Sequence, residues 1–426
     1  MSRIAAPRGT QDVLPADSPR WHAVENIARQ VAAIYHFAEI RTPIYELSDL
    51  FHRGVGQSTD IVQKETFTFR PRPESESITL RPEGTAGVVR AAIENNLLAQ
   101  EGARLKVYYL GPNFRYERPQ KGRLRQHHQF GVESFGSPLP QADVECILLQ
   151  MEFYRRCGVK DLSLQINSLG DTQSKARYRQ VLLDFLGPRK ASLSEDSQRR
   201  LDENPLRVLD SKDPRDQEAC AAAPPALESL SPKSREHFER VQELLTTSAA
   251  NFVVNPRLVR GFDYYTDTLW EVVAGGLGAQ NALGGGGRYD NLVEELGGRP
   301  TPGVGFGSGI ERLLLALEAQ QVTLNTAASP LLWLVYHGPV AQAACWELLG
   351  QLRAANIACD MDYSGRSVKA QFKLADREKA SRCIIIGDAE LASGTILLKD
   401  LATGQQQSLP RRQLPGVLLE PAVPAQ

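Results

Sequence analysis

Two sets of side chains in this chain of 426 residues could do chemistry on an anion. The first lies between residues 111 and 136. An apolar run at 106–110, the breakers Pro119 and Gly122, and an alternating run at 127–135 read as strand, loop, strand. The loop carries Arg115, Arg118, Lys121, Arg123 and Arg125 against the single acid Glu117. Guanidinium forks match phosphate oxygens and keep their charge in any surroundings; a solvated basic hairpin would have the same composition. On a period of two, His127, Gln129, Gly131 and Glu133 share one face of the second strand, with Phe130, Val132 and Phe135 packing mainly elsewhere. The second set is Gly-Val-Gly-Phe-Gly-Ser-Gly at 303–309 together with Arg312. Glycine at every second position bares one face of a strand, which weakens a sheet unless something flat or another backbone lies there. A helical pattern starts directly after that strand, with Arg312 in its first turn. That is the positive end of a helix dipole, unfavourable for arginine unless an anion sits beside it.

Three further stretches bear on a site. Glu83-Gly84-Thr85 makes a sharp turn before a helical pattern at 86–98, presenting a carboxylate and a hydroxyl that also suit a helix N-terminus. Leu-Val-Arg-Gly-Phe-Asp-Tyr-Tyr at 258–265 precedes an alternating strand at 266–273. The separation of Arg260 and Tyr265 is odd, so one regular strand cannot put both on one face, and irregular backbone is expected near Gly261. The glycine tetrad 284–287 reads as a tight turn, or as close approach of backbone to a ligand. The chain has no G-x-x-x-x-G-K-[ST], and no G-x-G-x-x-G in a βαβ unit supports a dinucleotide fold.

The elements that must position these residues can be read from periodicity. Asp17-Ser18-Pro19 opens a helix whose Trp21, Val24, Ile27, Ala28, Val31, Ile34 and Tyr35 recur at helical spacing. Residues 37–46, with Pro43, read as a short strand or edge segment, and 53–69 as a glycine-bearing loop leading into a strand. A helix at 142–154 precedes a strand at 162–166. Residues 172–251 are charged, helix-forming and broken by prolines, as in a helical insertion, which taken alone is a surface elaboration. After a polar linker at 320–329, strands at 331–335, 358–363, 383–386 and 395–399 alternate with helical patterns at 341–355 and 367–380. That alternation predicts a small α/β domain with a mainly parallel sheet.

Composition sets outer bounds. With 42% hydrophobic and 23% charged residues the chain is globular, and its length favours two or three domains. A formal net charge of -1 leaves nucleic-acid binding to local patches. Six scattered cysteines without a Cys-x-x-Cys pair predict free thiols and no structural metal. The N-terminus lacks a signal-peptide core and no apolar run could span a bilayer, so a cytoplasmic protein is expected.

The run Phe-Arg-Tyr-Glu-Arg-Pro-Gln-Lys-Gly-Arg-Leu-Arg-Gln at 114–126 resembles motif 2 of class II aminoacyl-tRNA synthetases, in the form found in histidyl-tRNA synthetases. The stretch 258–265 resembles a signature of that family, the bare strand with Arg312 resembles motif 3, and 37–46 lies where motif 1 helps form a dimer interface. Asn-Pro-Leu-Arg-Val-Leu-Asp at 204–210 resembles part of the family's insertion, which lies near the tRNA acceptor arm.

The resemblance implies an α+β protein: an antiparallel-sheet class II catalytic domain over 1–325, interrupted by the helical insertion 172–251, and a small α/β anticodon-binding domain over 330–426. It implies ATP-dependent ligation of L-histidine to tRNA(His) through a histidyl-adenylate, with Mg²⁺, by a homodimer. Arg115 and Arg260 would be catalytic. Glu83, Gly84, Thr85, Gln129, Glu133, Arg260, Tyr264 and Tyr265 would bind histidine. Arg115, Glu117, Arg123, His127 and Arg312 would bind ATP, and Arg118, Gln120 and Arg125 tRNA. Neutral imidazole offers one N–H and one lone pair; Glu133 would accept from the first, and Tyr264 or Tyr265 donate to the second. His127 stands where the family commonly has phenylalanine against adenine, so its titration is expected to make ATP affinity pH-sensitive. A catalytically silent, histidyl-synthetase-like regulatory subunit of ATP phosphoribosyltransferase is the alternative. Such proteins generally lack the terminal domain and the reactive arginines, and this chain keeps both. A class I synthetase is opposed by the absence of His-Ile-Gly-His and Lys-Met-Ser-Lys-Ser.

Overall fold

The computed structural model describes residues 4–56, 59–120, 122–275, 281–326 and 331–414. Lys121 of the basic loop, part of the expected linker (327–329) and the end of the terminal domain (415–426) lie outside the described residues. The chain divides into two compact units, Met1–Thr326 and Ala327–Gln426.

The first unit is built on an eight-stranded sheet. In chain order its strands are β1 (Ala38–Glu39), β2 (Leu105–Phe114), β3 (Gln126–Phe135), β4 (Leu162–Ser168), β5 (Phe252–Val254), β6 (Thr266–Ala274), β7 (Ala282–Arg288) and β8 (Gly303–Gly309). Their order across the sheet is β1-β2-β3-β8-β7-β6-β4-β5. The six central strands pair antiparallel, and only the short outer strands β1 and β5 run parallel to their neighbours.

Alternation along these strands divides the sheet into two faces. One carries Phe130, Val132, Trp270, Val304 and Phe306 into the main core, against α1 (Ser18–Ile34), α3 (Pro140–Arg156), α4 (Pro232–Thr247) and α5 (Ile310–Ala319). Trp21, Val24, Ala28 and Val31 of α1 are buried, as their helical spacing predicts. The other face is covered only in part, by α2 (Thr85–Glu94), through a second cluster that includes Val89, Tyr109, Phe135, Tyr264, Tyr265, Leu269 and Tyr289. Phe135 thus packs at the far end of the face that carries His127, Gln129 and Glu133.

Four expectations change. Residues 53–69 hold the end of the helix Ser48–Gly54, the helix Asp60–Lys64 and only a three-residue strand, Phe67–Phe69. The glycine tetrad is not a turn: it lies inside β7, between β6 and β8. The insertion is more than a surface elaboration. It has a small core of its own, Leu186, Leu193, Leu201, Val208 and Cys220, yet its last helix, α4, sends Phe238, Val241 and Leu245 into the main core.

The fourth change concerns the second unit, whose five-stranded sheet runs Cys359–Met361, Leu332–Tyr336, Arg382–Ile386, Thr395–Asp400, Gln406–Pro410. The first two pairings are parallel and the last two antiparallel: Thr395–Asp400 runs back along Arg382–Ile386, and Gln406–Pro410, too polar to read as a strand, closes a hairpin with it. Leu332 and Leu334 face one core and Trp333 and Val335 another, which accounts for the continuous apolar run there. All six cysteines are free and buried. No helix among the described residues is long and apolar enough to cross a membrane.

Candidate active site

The partly covered face has a floor of glycine. Register sets Gly131 of β3 opposite Gly307 of β8, and Gly307 opposite Gly285 of β7. In the next row stand Glu133, Gly305 and Gly287. Large side chains lie flat across this floor. A Cβ at Gly131 would collide with the Tyr109 ring, and one at Gly305 with the Glu133 carboxyl group. At Gly285 it would stand 2.9 Å from Nη1 of Arg260, and at Gly287 2.7 Å from Cδ1 of Tyr265. Close approach of these side chains, and of neighbouring backbone carbonyls at Gly284, Gly285 and Gly286, explains the glycine pattern, with no turn involved.

One end of the floor is buried and acidic. Glu83 caps α2, its two carboxylate oxygens accepting from the backbone amides of Thr85 (2.7 Å) and Ala86 (2.8 Å). Thr85 Oγ1 donates to Glu133 Oε1 at 2.7 Å, and the Tyr289 hydroxyl donates to Glu133 Oε2. Burial pushes the Glu133 carboxyl up to about 8; Tyr289 and Thr85 oppose the shift and the nearby Glu83 adds to it. Glu83 is itself raised by burial, against its backbone bonds and Arg115. Tyr264 stacks on Phe262 at 5.2 Å between ring centroids and meets Tyr265 at 4.7 Å and Tyr289 at 5.6 Å. Gln129 Oε1 accepts from Asn113 Nδ2 at 2.6 Å.

The other end is cationic. Arg115 Nε donates to the Pro82 carbonyl at 2.8 Å, and its guanidinium lies 5.6 Å from the Phe262 ring centroid. Arg312 donates to the carbonyls of Ala282 (2.7 Å) and Gly122 (3.2 Å). Burial, then Arg123, lowers its affinity for its proton, with Arg115 acting in the same sense. Arg123 itself pairs with Glu117 at 3.3 Å. Carbonyl oxygens fix a guanidinium without cancelling its charge, so this corner suits a polyanion. Arg260 joins it from the irregular stretch before β6, paired with Glu271 at 3.0 Å and with its buried Nε lacking a hydrogen-bond partner among the described residues. The backbone between Arg260 and Tyr265 bends at Gly261 and turns at 263–264 before β6 begins. This irregularity lets both side chains lie over the glycine floor.

His127 is held down to about 3, first by burial and then by Arg115, His128 and Arg312. The expected titration of this imidazole near neutral pH is therefore corrected: the ring stays neutral between its cationic neighbours. Its location among Arg115 and Arg312 also ties motifs some two hundred residues apart to one corner. Arg118 and Gln120 are exposed on the hairpin, and Arg125 lies over the Tyr116 ring at 3.8 Å. Sequence reading missed Tyr109, Phe262, Tyr289 and Asn113. Tyr109 could have been found from its place opposite Gly131 once strand pairing was assumed; nothing local marks Tyr289 apart from the tetrad before it.

Among the described residues no group of three or more metal-ligating side chains could hold a metal ion. Magnesium needs no such cage, since it binds through substrate phosphates, water and one or two carboxylates. Glu117 and Glu271, the acids acting on Arg312, are the carboxylates at this corner.

An antiparallel sheet with a bare glycine floor, a basic hairpin and an arginine-bearing helix after the last strand defines a class II aminoacyl-tRNA synthetase catalytic fold. Comparison with known proteins narrows this. The family model described as histidyl-tRNA synthetase matches residues 9–313, and that of an anticodon binding domain matches 334–420. A histidine–tRNA ligase of Thermosynechococcus vestitus is 49% identical over 411 residues, 96% of this chain and 95% of that protein. One from a Geobacillus species is 49% identical over 416 residues, 97% of this chain and 98% of its own length. Among solved structures, the apo histidyl-tRNA synthetase of S. aureus superposes with a TM-score of 0.84 at 37% identity, covering 98% of this chain and all of that one (100%). The chain belongs to the histidyl-tRNA synthetase family. A Bacillus halodurans protein described as an ATP phosphoribosyltransferase regulatory subunit/histidyl-tRNA synthetase matches with a TM-score of 0.64 at 22% identity over 91% of this chain, a likeness of fold alone.

Proposed function

We propose that this chain joins L-histidine to tRNA(His) in two steps. The observation that carries this reading is the buried Glu133 carboxyl, bracketed by Thr85 and Tyr289, on the same glycine floor as the arginine corner. In the first step a carboxylate oxygen of histidine attacks the α-phosphorus of ATP, the bond to the bridging oxygen breaks, and pyrophosphate leaves. In the second, the terminal ribose hydroxyl of tRNA attacks the activated carbonyl and AMP departs.

Displacement at phosphorus asks the protein mainly for alignment and charge neutralisation. Arg260, whose Nε has no partner among the described residues, bridges the histidine carboxylate and the α-phosphate; Arg115 holds the α-phosphate and Arg312 the γ-phosphate. Arg123 adds a phosphate contact and Glu117 reads the adenine edge, which His127 covers as a neutral ring. Magnesium bound with ATP would neutralise phosphate charge, with Glu271 as its protein carboxylate. Glu133 accepts the imidazole N–H and a tyrosine hydroxyl donates to the other nitrogen. Gln129, Glu83 and the Gly84-Thr85 turn receive the amino-acid backbone end.

Arg118, Gln120 and Arg125 on the hairpin meet the acceptor end of tRNA, and 330–426 binds the anticodon, while 1–325 performs the chemistry. The enzyme works as a homodimer, and its six unpaired cysteines suit a reducing cytoplasm. A silent regulatory role is disfavoured because Arg115, Arg260 and Arg312 are all kept. Exchange of labelled pyrophosphate into ATP tests the reading: histidine alone among the amino acids supports it, and a response to a different amino acid, or to none, overturns it.

A further inference from the structure

The stretch between Arg260 and Tyr265 belongs to no strand, so no sheet ladder fixes its shape. Its polar groups are bonded from outside, by the helical insertion. Lys175, on the helix Thr172–Leu186, donates Nζ to the carbonyl oxygens of Asp263 (2.8 Å) and Tyr265 (2.9 Å). Arg207, in the turn Pro205–Val208, donates Nη2 to the Gly261 carbonyl at 2.6 Å and sets Nε 3.5 Å from Asp263 Oδ1. Asn204 donates Nδ2 to that same oxygen at 3.0 Å. The Asp263 amide in turn reaches the Val55 carbonyl at 3.4 Å.

We infer that Lys175, Asn204 and Arg207 are positioning residues for the histidine pocket: the insertion clamps residues 261–265 and thereby sets the reach of Arg260, Tyr264 and Tyr265. The three contribute bonds from two separate elements, and all of them end on five consecutive residues. Both side chains aimed at the backbone are cations, and each is at most half exposed. Charge-assisted bonds to carbonyls hold a loop more firmly than neutral ones, and this loop lies in no strand ladder that could replace them. A displacement of the insertion therefore reaches the pocket through the backbone, without any of its residues touching histidine. Of the phosphate-corner arginines, Arg115 and Arg312, fixed by Pro82, Gly122 and Ala282, are outside this clamp.

This inference rests on the assignment of histidine as substrate, so it is tested by a readout that depends on that assignment and by one that does not. In histidine-dependent pyrophosphate exchange, Arg207→Ala is expected to raise the KM for histidine about tenfold, with the KM for ATP within about twofold of the parent. Arg207→Lys, whose ammonium still reaches the Gly261 carbonyl, recovers part of the loss. Lys190→Ala, which removes an exposed ion pair elsewhere in the insertion, leaves the parent values. Asn204→Ala removes the bond to Asp263 together with the cap that its Oδ1 gives the Leu206 amide, and serves if Arg207→Ala does not fold. Independently, backbone amide exchange at 262–265 is expected to quicken in Arg207→Ala and Lys175→Met while α4 is unchanged. Parent amide exchange in both variants overturns the inference, as does a KM rise shared equally by histidine and ATP. A parent protein inactive with histidine but with quickened amide exchange in the variants would overturn the substrate assignment and leave the clamp standing.

Discussion

The two ends of the glycine floor treat charge in opposite ways. At the arginine corner, positive charge is kept: Arg115 and Arg312 are bonded to carbonyl oxygens, and the neutral His127 sits between them. At the histidine end, negative charge is suppressed: Glu83 and Glu133 are buried side by side and both resist ionisation. A triphosphate brings its own charge and needs a standing field to meet it. An imidazole is neutral or singly charged, and selecting it needs groups that are costly to leave unpaired. Arg260 and the Gly261 bend join the two regimes.

The largest expected effect comes from breaking that junction. Arg260→Ala should cut adenylate formation by about two to three orders of magnitude, the scale seen when one preorganised donor to a transition state is removed. Circular dichroism should stay that of the parent, since among the described residues Arg260 makes one ion pair, with Glu271. Parent rates in single-turnover adenylation would remove the residue from the mechanism. Next is Glu133→Gln, which should raise the KM for histidine by about 10- to 100-fold. It should also change the pH response. In the parent, loss of the proton turns the carboxyl into a charged and stronger acceptor for an N–H, so the KM for histidine should fall as pH rises toward about 8 and then level; the variant should lack this step. The same residue leaves a mark on stability. The native state holds the Glu133 proton above its ordinary value of 4.5, up to about 8, while the unfolded chain has released it. Stability contributed at this site therefore falls as pH rises through that window, and the variant should show a shallower decline in urea unfolding.

A smaller contrast separates two neighbouring glycines of β8. Gly305→Ala drives a methyl into the Glu133 carboxyl and the Val132 carbonyl, and should cost about 1 to 3 kcal/mol in unfolding free energy, as overpacking does. At Gly307 the nearest atom is Nε2 of Gln129 at 3.3 Å, which can give way. Gly307→Ala should cost less in urea unfolding, and equal losses would mean that the floor is not fitted more tightly at its acidic end.

These two ends were not equally legible in the sequence. The arginine corner announced itself, because a basic loop and an arginine at a helix start are local anomalies that call for an anion. The strands behind it were readable from period-two alternation, and the bend at Gly261 from the parity of Arg260 and Tyr265. The acidic end was harder. Glu83 and Thr85 look like any helix start until the register shows Glu133 beside them, and Tyr289 is visible only as a tyrosine after four glycines. The tetrad misled for the same reason: alternating close contacts on both sides of a strand are tertiary, and four consecutive glycines have no local pattern except that of a turn. The clamp from Asn204 and Arg207 depends on contacts 54 to 59 residues apart in sequence, which no local rule reports.

The smallest expected effect is an absence of change, and it tests the arginine corner most directly. An exposed histidine titrates near 6.5, so an adenine platform made of imidazole would ordinarily weaken or strengthen ATP binding across neutral pH. Here burial disfavours the charged ring and Arg115 and Arg312 repel a second proton, holding His127 to about 3. The KM for ATP should therefore show no inflection between pH of about 5.5 and about 8 that His127→Phe removes. Such an inflection near 6.5, lost in the variant, would mean that the ring is solvated and that the standing positive field is weaker than the packing implies. Bound triphosphate would move the ring the other way, since its negative charge offsets the arginines and lets the imidazole hold a proton more readily. A ring resonance that titrates higher with ATP than without it, followed by NMR, would measure how much of the field belongs to the protein alone.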